Sequence, residues 1–230
     1  HGTHPTARVQ SYSPASAASI QWRDVDLLDR AAVEQAVADL RPSWIYHCAG
    51  LANVSGSWKN TLQTLEGNVI GTQHLLEAVQ QAQLKARILV PGSALVYRPS
   101  LRAIGEDDSV GPVSPYGLSK LAQEMLGQRF AKEGQAVLLT RSFTHFGPGQ
   151  DLSYAASSFA HQVACIEAGQ AEPVIRVGSL EPRRDLTDVR DTVRAYRELM
   201  ERGRPGRIYN VCSGRAHQIR EVLHGLLTRA

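Results

Sequence analysis

The stretch Arg87-Ile88-Leu89-Val90-Pro91-Gly92-Ser93, followed after a loop by Ser114-Pro115-Tyr116-Gly117-Leu118-Ser119-Lys120, decides how this chain is read. Its first half is a short β-branched and leucine-rich run that ends in small residues, the pattern of a buried strand. Its second half opens a helix, because Ser114 is a good N-cap and Pro115 suits the first helical position. Tyr116 and Lys120 are four residues apart, so on a helix they share a face with Cβ atoms roughly 5–6 Å apart. A free phenol near pKa 10 is a poor acid or base at neutral pH, and a neighbouring ammonium is expected to lower it. With the Ser93 hydroxyl nearby to hold a carbonyl or alcohol oxygen, the three side chains suit proton transfer at that oxygen while hydride moves at the adjacent carbon.

Working outward, strand-like and helix-like segments alternate almost throughout, which predicts an α/β protein with a parallel, doubly wound sheet covered by helices on both faces. Ser19–Trp22 reads as a short strand. Asp29 caps a helix with Val33, Val37 and Leu40 at helical spacing, and Trp44–Gly50 reads as a buried strand ending in small residues. A long helix is predicted over Asn60–Gln81, the Tyr116 helix to about Lys132, and a strand over Ala136–Thr140 closed by the Phe146–Gln150 turn. Further elements are a helix around Phe159–Ala168, a short strand near Val174–Val177, a helix from Val189 to about Met200, a strand Arg207–Val211 and a final helix Ile219–Leu227.

Composition narrows the class. The 230 residues are 43% hydrophobic and 20% charged with a formal charge of +3, ordinary globular material with no basic stripe for nucleic acid. No apolar run approaches the ~18 residues that cross a bilayer. Cys48, Cys165 and Cys212 are an odd set without C-x-x-C spacing, as expected of a reducing, cytoplasmic setting, and the eight histidines form no metal-ligand pair, so no metal site is expected. A Gly-rich first turn, the usual holder of a dinucleotide pyrophosphate, does not occur. The chain therefore reads as a piece cut at both ends, opening at His1-Gly2-Thr3-His4-Pro5 and expected to bind dinucleotide weakly or not at all on its own.

The order strand, serine, loop, Ser-Pro-Tyr-Gly-x-Ser-Lys resembles the extended short-chain dehydrogenase/reductase family, the sugar-nucleotide epimerases, dehydratases and reductases. The resemblance covers residues from about 20 to the C-terminus. It implies a Rossmann-like domain over residues 1–150 and a nucleotide-sugar region over 151–230, whose late strand and helix return to the first sheet. It also implies NAD or NADP as cofactor, and Ser93, Tyr116 and Lys120 as the catalytic set, Lys120 also holding the nicotinamide ribose. Asp26 and Leu27 look like the family's acidic motif at the adenine. His47-Cys48-Ala49-Gly50 resembles H-L-A-A beside the cofactor, and Asn68-Val69-Ile70-Gly71-Thr72 matches N-V-x-G-T, whose asparagine supports the active site. Phe143 joins Asp26, Leu27, Cys48, Ala49, Gly50 and Asn68 among the implied cofactor contacts.

Arg141–Gln150 and Val177–Asp191 look like the bacterial GDP-4-keto-6-deoxy-mannose reductases, relatives of GDP-mannose 4,6-dehydratase. This branch implies substrate contacts from Ser93, Thr144 and Arg184, with the guanidinium on the diphosphate, a favoured GDP-sugar and a homodimer through the two long helices. Leu95 stands where dehydratases carry a carboxylate, which disfavours elimination, and Thr144 replaces a usual asparagine. The expected activity is NAD(P)H-dependent reduction of a nucleotide-linked 4-keto-6-deoxy sugar. A 4-epimerase or 4,6-dehydratase of the same family, or a non-catalytic binding protein on the same fold, are the alternatives.

Overall fold

The computed structural model describes residues 20–229. Four parallel strands, β1 (Trp44–Tyr46), β2 (Arg87–Ser93), β3 (Ala136–Ser142) and β6 (Ile208–Val211), form a sheet in the order β1-β2-β3-β6. The helices are α1 (Arg30–Leu40), α2 (Val54–Lys59), α3 (Thr61–Leu65), α4 (Gly71–Gln81), α5 (Pro115–Lys132), α6 (Ala155–Glu167), α7 (Val189–Arg202) and α8 (Ile219–Leu227), of which α1, α4, α5 and α7 cover this sheet. A second sheet joins β4 (Thr144–Phe146), β5 (Arg183–Asp188) and β7 (Ala216–Gln218), parallel between the first two and antiparallel between the last two.

The central strand β2 shows why helices lie on both faces. Ile88 and Val90 enter a cluster with Val33 and Val37 of α1, Leu76 and Val79 of α4 and Phe130 of α5. Leu89 points the other way, onto Leu138, Tyr196 and Met200, the last two on α7. Alternate side chains of a strand face opposite sides, so a strand apolar on both needs two covers. Each fully buried aliphatic here is worth about 1.5–3 kcal/mol of transfer free energy. Among the described residues no helix is long and apolar enough to cross a membrane.

Several expectations change. Ser19 lies outside the described residues, and Ile20–Trp22 form no strand: Ile20 and Trp22 are exposed, and among the described residues β1 pairs only with β2. For the same reason the strand expected over Trp44–Gly50 shortens to three residues, with Trp44 and Tyr46 exposed rather than buried. Leu40 is half exposed where the chain leaves α1 through Arg41 at φ 42°. Val174–Val177 is not a strand, because its backbone is tied to a helix side chain: Gln162 of α6 accepts from Arg176 N at 2.8 Å and donates to Arg176 O at 3.1 Å. The long helix expected over Asn60–Gln81 is α3, a π turn (Glu66–Ile70) and α4, and the short helix α2 that precedes it is not anticipated. The second sheet is not anticipated as a sheet at all.

Candidate functional site

Ser93 is the last residue of β2 and lies opposite Ser142 in the register with β3. Glycine precedes it because β3 passes very close: a Cβ on Gly92 would stand 2.2 Å from the Thr140 carbonyl oxygen. The chain then turns into a 3₁₀ segment (Ala94–Val96), whose start is tied by Leu95 N donating to Ser93 Oγ at 3.2 Å. Ser114 caps α5 by accepting from Gly117 N, and α5 brings Tyr116 close enough to the buried Ser93 hydroxyl for that group to draw its pKa down.

The electrostatics differ from the sequence expectation. The Tyr116 phenol is not lowered; burial pushes it up to about 12, with the Ser93 hydrogen bond drawing it back and Tyr154 and Tyr196 adding to the rise. The Lys120 ammonium instead donates to Gln123 Oε1 at 2.6 Å, and burial lowers the lysine to about 8, partly offset by the Cys48 thiol. At neutral pH the phenol is therefore a protonated donor, and the lysine sits close to its titration point.

Asn68 lies in the π turn, a feature frequent at functional sites, and is fully buried. Its amide accepts from Leu51 N at 2.8 Å and donates to Leu51 O at 3.0 Å and to Ser119 Oγ at 2.9 Å. Ser119 passes its own hydroxyl hydrogen to the Tyr116 carbonyl at 2.8 Å, and Tyr116 N donates to Ser57 Oγ at 3.2 Å. This clamp needs glycine at position 50, where φ is 147° and a Cβ would meet Asn68 Oδ1 at 2.5 Å. Cys48, Ala49 and Gly50 are exposed, presenting a small-residue edge with the Cys48 thiol within charge range of Lys120. An ammonium, a phenol and an exposed edge of small residues suit the nicotinamide-ribose end of a dinucleotide.

Other predicted residues lie apart from this cluster. The Asp26 carboxylate accepts from Leu28 N at 2.9 Å within its own turn, and Leu27 packs on α4, its carbonyl meeting His74 Nδ1 at 2.9 Å. Phe143 follows β3, stacks at a tilt on Tyr97 at 6.5 Å and donates its N–H to Val211 O. Thr144 on β4 and Arg184 on β5 belong to the second sheet and are exposed. Arg184 donates to the Arg183 carbonyl at 2.8 Å and has no acidic partner among the described residues.

Sequence reading missed Thr72, Ser119 and Gln123 as parts of the site. A signal existed: α5 buries Gly117, Ser119, Gln123, Glu124 and Gly127, polar or small residues where an ordinary helix would bury aliphatics.

The sequence pattern of the NAD dependent epimerase/dehydratase family matches residues 3–212. The chain belongs to that family. Among its relatives, GDP-6-deoxy-D-mannose reductase of Pseudomonas aeruginosa is 36% identical over 186 residues, covering 79% of this chain and 61% of that protein. UDP-glucose 4-epimerase of Bacillus subtilis is 32% identical over 183 residues, covering 76% of this chain and 54% of that protein. This family member thus spans between half and two thirds of the length of these curated relatives. The structure of RMD from Pseudomonas aeruginosa complexed with NADPH superposes with a TM-score of 0.84 at 32% identity, covering 91% of this chain and 74% of that one. MoeE5 in complex with UDP-glucose and NAD superposes at 0.78 with 32% identity, over 90% of this chain and 68% of that one. The sheet and its two helical layers are the family's Rossmann-like fold.

Proposed function

We propose that this chain carries the reducing centre of an NAD(P)H-dependent nucleotide-sugar reductase acting on a 4-keto-6-deoxy sugar, a GDP-sugar by preference. The observation that carries it is the half-buried Tyr116 phenol, held protonated beside the Ser93 hydroxyl. Reduction of a ketone needs an acid at the oxygen, and a phenol pushed up to about 12 is that acid at neutral pH. An epimerase must first use the same group as a base, which burial opposes. Dehydration needs a carboxylate where the chain has Leu95, whose side chain moves no proton. The reductase and the NADPH complex among the relatives support the reading.

A nicotinamide bound here would supply the hydride. Ser93 Oγ hydrogen-bonds the substrate carbonyl oxygen, and Tyr116 Oη gives its proton to that oxygen as negative charge develops there. Lys120 would hold the ribose hydroxyls of that cofactor through the N–H groups that Gln123 leaves free. Exposed apolar side chains on α2, α3 and α5 (Trp58, Leu62, Leu118 and Met125) support a homodimer through these helices.

The test is turnover of GDP-4-keto-6-deoxy-mannose with NAD(P)H. Stoichiometric loss of nicotinamide absorbance is expected, and Tyr116→Phe should cost about 10²–10⁴-fold in kcat/KM. Unchanged turnover in that variant removes the proposed acid, and sugar interconversion without net absorbance change favours the epimerase.

A further inference from the structure

The polar residues buried beneath Lys120 form one connected network whose hydrogen positions are determined by elimination. Thr72 Oγ1 lies 2.6 Å from the Asn68 carbonyl oxygen, which can only accept, so the single hydroxyl hydrogen points there. The same hydroxyl oxygen therefore accepts from its two other neighbours, Gln123 Nε2 at 2.6 Å and His47 Nε2 at 2.8 Å. This sets His47 as the tautomer with hydrogen on Nε2. It also sets the Gln123 amide, whose NH₂ faces Thr72 and whose oxygen faces the Lys120 ammonium at 2.6 Å. The amide orientation is thus fixed from both ends, since an ammonium has no lone pair to accept with. Thr72 and Gln123 are fully enclosed and His47 nearly so.

We propose that Gln123 is a positioning residue for Lys120: locked by Thr72, Asn68 and His47, its amide oxygen anchors the ammonium and sets the direction of the lysine's remaining N–H groups. This rests on the reading of Lys120 as part of the reducing centre. Leaving a buried ammonium without an acceptor is costly, and the acceptor supplied is neutral, so it stabilises the cation less than a carboxylate would. The titratable groups facing Lys120 are the His47 imidazole and the Cys48 thiol, both at the end of β1. Thr72 and Asn68, from α4 and the π turn, are uncharged. Burial holds His47 neutral down to about 4, so over the working range it adds no charge to the site.

The experiment follows the Lys120 side chain directly, by NMR titration of protein carrying isotope-labelled lysine, one signal among four lysines. Relative to the parent, Gln123→Met should lower the Lys120 midpoint by at least ~0.5 pH unit, and Gln123→Glu should raise it by at least ~1 unit through an ion pair. In turnover, the alkaline limb of kcat/KM should move the same way in each variant, with Gln123→Glu retaining more activity than Gln123→Met. Midpoints within ~0.2 unit of the parent in both variants overturn the proposal. So does a parallel loss of activity in both variants with no shift of the limb, because a merely structural role predicts that. If the midpoints shift as expected while the unsubstituted protein turns over no keto sugar, the anchoring stands and the reductase reading falls.

Discussion

Replacing His47 with glutamine tests the buried network through stability alone. His47 is 5% exposed, and burial together with the nearby Lys120 ammonium lowers its pKa to about 4 from 6.5. The folded protein thus binds this proton less tightly than the unfolded chain does. The associated stability is complete above about pH 6.5 and is lost as pH falls toward 4. At about 1.4 kcal/mol per pH unit the gap is worth at most about 3 kcal/mol, of which about 2 kcal/mol should be gone by pH 5. A glutamine side chain cannot take up a proton in this range but still offers Thr72 a donor. The His47→Gln variant should therefore start somewhat less stable, by about 1 kcal/mol for an altered buried hydrogen bond, and then decline less steeply. Denaturant unfolding of both proteins at intervals from pH 7.5 to 4.5 gives the comparison. Carboxylates that protonate on the way down contribute equally to both and cancel in the difference. If the two curves fall in parallel between pH 7 and 5, His47 is not held neutral and the tautomer argument loses its basis.

Two further outcomes follow from other parts of the fold. Arg141 and Glu124 form a bidentate pair at 2.7 Å with side chains 5% and 4% exposed, Arg141 also lying 4.6 Å from the Tyr97 ring centroid and donating to Glu106 O. Arg141→Met should cost about 3–5 kcal/mol in denaturant unfolding by stranding Glu124, while adding Glu124→Leu should recover most of it; a single-variant loss under about 1 kcal/mol would contradict the pair's burial. On the exposed face of α5, Met125→Asp should turn a dimer into a monomer in sedimentation velocity. A parent that already sediments as a monomer at high concentration rules the dimer out.

The sequence by itself placed most of the elements, because their signals are local. Asp29 and Ser114 accept from the helix N–H groups that capping chemistry assigns them, and β2 and β3 follow their aliphatic runs. It also singled out Ser93, Tyr116 and Lys120, since strand-end and helix-start positions can be read from spacing. What it could not decide depends on neighbours distant in the chain. Trp44 and Tyr46 look like core residues, yet among the described residues β1 pairs on one side only and both are exposed. Val174–Val177 has strand composition, but Gln162 holds its backbone.

The direction of the Tyr116 shift is the sharpest case. Helical spacing puts a cation on the same face and so predicts a lowered phenol. The fold takes much of the water from that phenol and turns the ammonium onto Gln123, and desolvation then outweighs any Coulombic help. Spacing along one helix specifies which side chains can meet. Enclosure by β1, α4, α5 and the π turn specifies which of them carry charge, because that depends on how much water the surrounding elements leave.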